Sequence, residues 1–243
     1  MLTGSSGILG TVISRNLVDH GYKVIGVDNQ ESNFESESYR HYHVDLSSQE
    51  KIESLCREIA GSEIYGLINN AAIKPEGFFA PSDLYTLDTW NKVIEVNLTA
   101  PMLMSKGLFP SLKANQKSSI INISSIYGIR APIAQIYQDA HYPEMGGKIN
   151  TPLVYSVTKT AILGLTRHLS AEWGKFGIRV NSITPGGVFS GQNDSFVKNY
   201  SSYTSLGRMA DESDISDALL FLLGEGADYI TGHNLVVDGG WTS

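Results

Sequence analysis

Residues 3–10, TGSSGILG, place Gly4, Gly7 and Gly10 directly ahead of an apolar helical pattern. In a βαβ unit such a loop follows a buried strand and opens a helix, so that backbone N–H groups and the positive end of the helix dipole face a diphosphate. The next apolar run, YKVIGV (22–27), ends on Asp28. A carboxylate there accepts hydrogen bonds from adenosine ribose hydroxyls and repels a 2′-phosphate, which points to NAD rather than NADP. A glycine triplet alone also marks an ordinary turn; here the strand and the acid stand in register with it. Only Met1 and Leu2 precede Thr3. The strand ahead of the loop is therefore expected to be truncated, with further apolar residues before Met1 in the native chain.

The rest of the chain supports a large α/β domain. Its 243 residues, 42% apolar and 18% charged, contain no linker that divides them, so residues 1–243 form a single domain. A formal charge of -7 without any Lys/Arg cluster argues against nucleic acid as a partner. Cys56 is the only cysteine, which rules out an intramolecular disulfide and a cysteine-based metal site and favours a reducing compartment. No metal is expected. No apolar run approaches a membrane span and no signal peptide is visible, so the protein is expected to be cytoplasmic, with no membrane partner.

Short apolar runs alternate with helical patterns. Strands are expected at 22–27, 64–69, 118–123, 178–183 and 234–238, and helices near 8–20, 49–60, 88–114, 152–174 and 211–223. This order predicts a Rossmann-type, doubly wound parallel sheet flanked by helices on both faces, with ligands beyond the carboxyl ends of the strands.

YSVTK (155–159) puts Tyr155 and Lys159 on one helix face. A nearby cation favours phenolate and makes tyrosine usable in acid/base chemistry at neutral pH, although such a pair is also common on exposed helices. Its companions are VDLS (44–47), NNAA (69–72), VNLTA (96–100), INISSIYG (121–128), RVNSITPGGV (179–188) and YITGHNLVVDGG (229–240). Together with TGSSGILG, in this order and over nearly the whole chain, they resemble the short-chain dehydrogenase/reductases, in their compact single-domain branch.

That resemblance implies a catalytic set of Asn97, Ser125, Tyr155 and Lys159. Tyr155 would exchange a proton with the substrate oxygen, and Ser125, in preference to Ser124, would hydrogen-bond that oxygen. Lys159 would hold the nicotinamide ribose and depress the tyrosine pKa, and Asn97 would organise a relay water. The implied NAD site comprises Gly4, Ser6, Gly7 and Ile8 in the loop, Asp28, Asp45 near the adenine amine with Leu46, and Asn70, Ala71 and Ala72. Tyr155 and Lys159 belong to it too, with Pro185, Gly186, Val188 and Ser190 toward the carboxamide. Each also has a plain reading, Asn97 as a helix cap and Pro185–Gly187 as a loop.

Three features depart from the family pattern. TGxxGxxG is commoner in the extended branch, and NNAA replaces NNAG. Ser125 and Tyr155 lie 155 − 125 = 30 positions apart, farther than the family normally keeps them. The added stretch, about 130–150, carries Gln135, Tyr137, Gln138, Asp139, His141, Tyr142, Glu144 and Lys148. Either it covers the substrate pocket and suits a polyhydroxylated substrate, or it is a surface insertion or oligomer contact. Residues 184–203 match the family's lid; Lys198 and Arg208 either meet an anionic substrate or solvate the surface.

The expected function is NAD-dependent interconversion of a secondary alcohol and a ketone by hydride transfer, on a small-molecule substrate related to sugars. The alternatives are reduction of a lipid, acyl-thioester or small ketone, or a non-catalytic NAD-sensing regulator. The resemblance also implies a homotetramer or homodimer built on the helices near 88–114 and 152–174.

Overall fold

Apolar side chains on successive strand residues point to opposite faces, so a sheet covered on both sides needs near-continuous apolar strands. The chain supplies them. The computed structural model describes residues 1–137 and 150–243. Its strands are β1 (Leu2–Thr3), β2 (Val24–Asp28), β3 (Tyr39–His43), β4 (Gly66–Asn69), β5 (Ser118–Ile123), β6 (Ile178–Pro185) and β7 (Asn234–Val237). They form one parallel sheet in the order β3-β2-β1-β4-β5-β6-β7. The doubly wound architecture is as expected.

The helices are α1 (Ile8–Asp19), α2 (Gln49–Glu58), α3 (Leu87–Ile94), α4 (Ala100–Ala114), α5 (Leu153–Trp173), α6 (Asp194–Ser201) and α7 (Glu212–Leu223). On one face Ile121 of β5 packs with Ile13 and Leu17 of α1 and Leu219 of α7. On the other, Ile120 packs with Leu55 of α2, Met104 and Leu108 of α4 and Leu169 of α5. Among the described residues no helix is long and apolar enough to cross a membrane.

Three elements differ from the sequence expectation. β3, YRHYH, was not expected because it has no apolar run; it is an edge strand, partly open to solvent. The helix expected over 88–114 is interrupted by a π-helical turn at Glu95–Thr99. Pro101 lacks the N–H that would bond the carbonyl of Asn97 four residues back, so the regular ladder cannot run through this point. α6 lies inside the expected lid and buries Phe196 and Tyr200, four positions apart.

The first strand is short and pairs on both sides, Leu2 with Gly26 and Ile68, and Thr3 with Val27. The Met1 ammonium donates to the Gly66 carbonyl at 2.7 Å, and the Ile68 N–H donates to the Met1 carbonyl at 2.9 Å. Burial pushes that ammonium down to about 5. A cavity of about 490 Å³ opens beside Met1, lined by the first residues of β2 and β4.

A row of polar side chains crosses the sheet at one height. Register pairs Asn69 with Asn122, Asn122 with Ser182, and Ser182 with Asn234. Asn69 Nδ2 donates to Asn122 Oδ1 at 2.8 Å, Asn122 Nδ2 to Thr166 Oγ1 of α5 at 2.9 Å, and Ser182 Oγ to Asn234 Oδ1 at 3.1 Å.

Candidate active site

The carboxyl ends of β1, β2 and β4 converge on the N-terminus of α1. Gly4 turns the chain there at φ +67, and a Cβ at Gly10 would stand 1.9 Å from the Gly4 carbonyl oxygen. Only glycine lets the loop and the helix approach this closely. Gly7 caps α1 without any side-chain hydrogen bond, so the first N–H groups of the helix keep their donor capacity. They border a cavity of about 560 Å³ that Gly4, Gly7, Ile8, Asp28 and Asn70–Ala72 help to line.

Asp28 Oδ2 accepts from the Ser6 N–H and Oδ1 from the Gln30 N–H, each at 3.0 Å. A carboxylate has about four lone-pair sites, so capacity for two hydroxyls remains. Asn70 serves the fold as well as the cavity: its Nδ2 donates to the carbonyls of Thr3 and Gly4, both at 3.1 Å. Beyond Asp28, a cavity of about 390 Å³ takes in Asp45, Leu46, Ala71, Ala72 and Val96. Asp45 Oδ1 accepts from the Ser47 hydroxyl at 2.7 Å and the Ser47 N–H at 3.0 Å, and these bonds hold its carboxyl below the usual range. A trench with a donor-rich helix end in the middle and a carboxylate to one side suits a dinucleotide.

A second cavity of about 390 Å³ lies on the other side of the helix end. Tyr155, Lys159, Pro185, Gly186, Val188 and Ser190 line part of it. Lys159 Nζ donates to the Ile123 carbonyl at 2.8 Å and lies 5.7 Å from the centre of the Tyr155 ring. Burial pushes its ammonium down to about 8. Tyr155 differs from the sequence expectation: burial raises its pKa, a hydrogen bond from Ser125 opposes that, and the Tyr127 hydroxyl adds to the rise. Desolvation of the phenol outweighs any pull from the lysine, whose charge is turned toward Ile123.

The two serines separate clearly. Ser124 Oγ donates to the Lys159 carbonyl at 2.7 Å and pins α5 to the end of β5, whereas Ser125 faces Tyr155. Gly128 permits this packing, since a Cβ there would sit 2.6 Å from the same carbonyl. Asn97, on the π-helical turn, accepts from the Ile73 N–H at 3.1 Å, and its buried Nδ2 has no partner among the described residues. That orphaned donor suits a bound water.

Ser190 is tied to its own loop: its N–H donates to Gln192 Oε1 at 2.7 Å, and its hydroxyl accepts from Gln192 Nε2 at 3.1 Å. Gly186 N–H donates to the Val237 carbonyl at 2.8 Å, and Gly187 N–H to the Tyr200 hydroxyl, which seats α6 against the strand end. Arg208 is engaged by Asp214 at 2.6 and 2.9 Å, so it braces the start of α7, while Lys198 is exposed.

Of the added stretch, Gln138, Asp139, His141, Tyr142, Glu144 and Lys148 lie outside the described residues. Gln135 is exposed, and Tyr137 reaches the cavity wall. Sequence reasoning missed Tyr127, Asn150 and Thr151 on that wall. Tyr127, two positions after Ser125, carried a usable signal; Asn150 and Thr151, at the end of the added stretch, carried none.

A family model described as Enoyl-(Acyl carrier protein) reductase matches residues 4–242. The chain resembles a short chain dehydrogenase from Leptospira borgpetersenii solved with bound NAD+, at 32% identity and a TM-score of 0.90, covering 100% of this chain and 91% of that one. It resembles a 4-hydroxyisoleucine dehydrogenase complexed with NADH, at 28% identity and a TM-score of 0.84, covering 99% and 97%. A 3-alpha-(or 20-beta)-hydroxysteroid dehydrogenase of Mycobacterium bovis is 30% identical over 99% of this chain and 87% of its own.

Proposed function

Because the chain belongs to the short-chain dehydrogenase/reductase family of oxidoreductases, we propose that it interconverts a secondary alcohol and a ketone with NAD as hydride carrier. The observation that carries this reading is the meeting of Tyr155 and Lys159 on one cavity beside the uncapped N-terminus of α1, with Ser125 hydrogen-bonded to Tyr155 behind the wall. Asp28 supports NAD over NADP by its charge at the end of β2. The NAD+- and NADH-bound relatives support the same choice.

NAD, when bound, supplies or accepts the hydride. The residues handle position and protons. Gly4, Ser6, Gly7 and Ile8 would hold the diphosphate, Asp28 the adenosine ribose, and Asp45, Leu46 and Asn70–Ala72 the surrounding trench. Pro185, Gly186, Val188 and Ser190 would flank the nicotinamide. In alcohol oxidation Tyr155 takes the hydroxyl proton; in ketone reduction it gives the proton back to the same oxygen. Ser125 donates a hydrogen bond to that oxygen as negative charge develops. Lys159, at about 8, is poised to exchange a proton through a water held by Asn97.

The relatives act on a hydroxysteroid and on 4-hydroxyisoleucine, so fold and motifs do not choose the substrate. An oligomer through α4 and α5 is supported by exposed Met102, Leu153 and Val157. The test is Tyr155→Phe assayed for turnover and for NADH binding by fluorescence. Turnover should collapse while binding survives; full turnover in this variant refutes the assignment. Tight NADH binding by the wild type without turnover of any alcohol or ketone would favour an NAD-sensing role.

A further inference from the structure

The wall of the Tyr155 cavity carries an arrangement of polar atoms that the reaction at the carbonyl does not use. Thr151 Oγ1 donates to the Tyr137 hydroxyl at 2.8 Å, and the Tyr137 hydroxyl donates to the Tyr127 hydroxyl at 2.6 Å. Tyr127 ends the chain and also lies within reach of the Thr151 hydroxyl; three hydroxyls joined by two hydrogen bonds keep one hydrogen to spare. Burial raises the pKa of both phenols, so they remain donors at ordinary pH. The chain therefore keeps one O–H to offer, on a wall that Tyr127, Tyr137 and Thr151 share.

The same cavity wall carries a complementary group. Asn150 Nδ2 donates to the Phe79 carbonyl at 3.1 Å, and its buried Oδ1 has no partner among the described residues. The amide cannot turn over to hide that oxygen, because Oδ1 would then face the Phe79 carbonyl, acceptor against acceptor. A buried acceptor without a partner is costly, and a ligand or water that fills it recovers the loss. Tyr127, Asn150 and Tyr155 line the same cavity, whose other walls include Phe78, Phe79 and Phe196.

Resting on the oxidoreductase reading above, we propose that Tyr127 and Asn150 recognise a hydroxyl of the substrate remote from the reacting carbon. A hydroxyl is the smallest group that both accepts from Tyr127 and donates to Asn150. A bare ketone, or a substrate with a carboxylate at this position, offers no donor to Asn150. The substrate class is thus a diol in the oxidising direction and a hydroxyketone in the reducing one, with the carbon skeleton against the phenylalanines.

The test compares cyclohexanone with 2-, 3- and 4-hydroxycyclohexanone in NADH-dependent reduction by the wild type, Tyr127→Phe and Asn150→Ala. At least one hydroxyketone should exceed the parent ketone in kcat/KM by about tenfold, the worth of one well-made hydrogen bond in a dry site plus relief of the unpaired acceptor. Each variant should bring that ratio close to one. A purely structural defect lowers both substrates together and leaves the ratio alone, which would overturn the proposal. Tyr127→Phe keeps the test open where Asn150→Ala fails to fold.

Calorimetric binding of cyclohexanol and the cyclohexanediols to the NAD+-loaded protein separates the two readings. A diol preference lost in Tyr127→Phe, without turnover of any alcohol, sinks the activity and keeps the recognition pair. Turnover without any hydroxyl preference, or no binding of any diol, sinks the pair.

Discussion

Replacing Gly10 with alanine asks whether the loop is held at contact distance from α1 for the sake of its ligand. The new Cβ would stand 1.9 Å from the Gly4 carbonyl oxygen, 2.9 Å from its carbon and 2.9 Å from Ser5 Cα, all backbone atoms. To reach an ordinary 3.4 Å contact, the Gly4 carbonyl must retreat by 3.4 − 1.9 = 1.5 Å. Alanine gains at most about 1 kcal/mol of helix propensity here. The overpacking costs about 1–3 kcal/mol, so the protein should lose stability or break even. The larger effect falls on the ligand, since a shift of about 1 Å in a positioning element can cost on the order of a hundredfold in kcat/KM. Gly164→Ala is the control: also helical, it has no atom within 4 Å of its Cβ, and should gain about 1 kcal/mol and a few degrees in Tm. Thermal melts with and without NADH, with fluorescence titration of NADH, read both. A Gly10→Ala protein that binds NADH like the wild type and melts higher, as Gly164→Ala should, would refute the reasoning.

Asp28→Ala removes both the carboxylate charge and the acceptors of Ser6 and Gln30; NADH affinity should fall by about tenfold or more and the preference over NADPH should vanish in paired titrations. Ser124→Ala should cost about 1 kcal/mol of stability through the lost bond to the Lys159 carbonyl and keep most turnover, while Ser125→Ala should lose on the order of a hundredfold in kcat; equal effects on kcat would overturn the separation of the two serines. Lys159 is a cation whose folded pKa lies below its unfolded value of 10.5, at about 8. Its burial penalty is full below pH 8 and fades as pH rises toward 10.5, so wild-type stability should gain on Lys159→Met by up to roughly 3 kcal/mol across that window in denaturant titrations. A pH-independent difference between the two proteins would contradict a desolvation penalty on the buried ammonium.

The parts of the fold that were legible in the sequence are those where one local pattern meets no competitor. SSIINI and the core of IRVNSITP read as strands because they carry apolar runs bounded by turns, and both are interior strands paired on two sides. YRHYH did not read as a strand because an edge strand takes its pairing from one neighbour and needs no continuous apolar surface. The π-helical turn was hidden because Asn97 and Pro101 sit inside an otherwise regular apolar period. At the site, the glycines, Asp28 and the Tyr155–Lys159 pair were visible as spacings. The use of Asn70 to tie β1 to β4, the orphaned Nδ2 of Asn97 and the orphaned Oδ1 of Asn150 were not, because each depends on which backbone atom a distant segment brings near.

The polar row across β4, β5, β6 and β7 has a consequence for assembly of the sheet. In parallel strands made mostly of interchangeable Ile, Val and Leu, a slip by one residue costs little until it turns the wrong side chains to each face. Here a slip of β5 would also remove Asn122 from Asn69 and from Thr166 at once, leaving buried amides unpaired at about 1–3 kcal/mol apiece. The row acts as a vernier, aligning four strands to a common height while the chain folds. Ser125 follows Asn122 by three residues, just past the end of that strand, so that alignment sets how far the serine projects toward Tyr155.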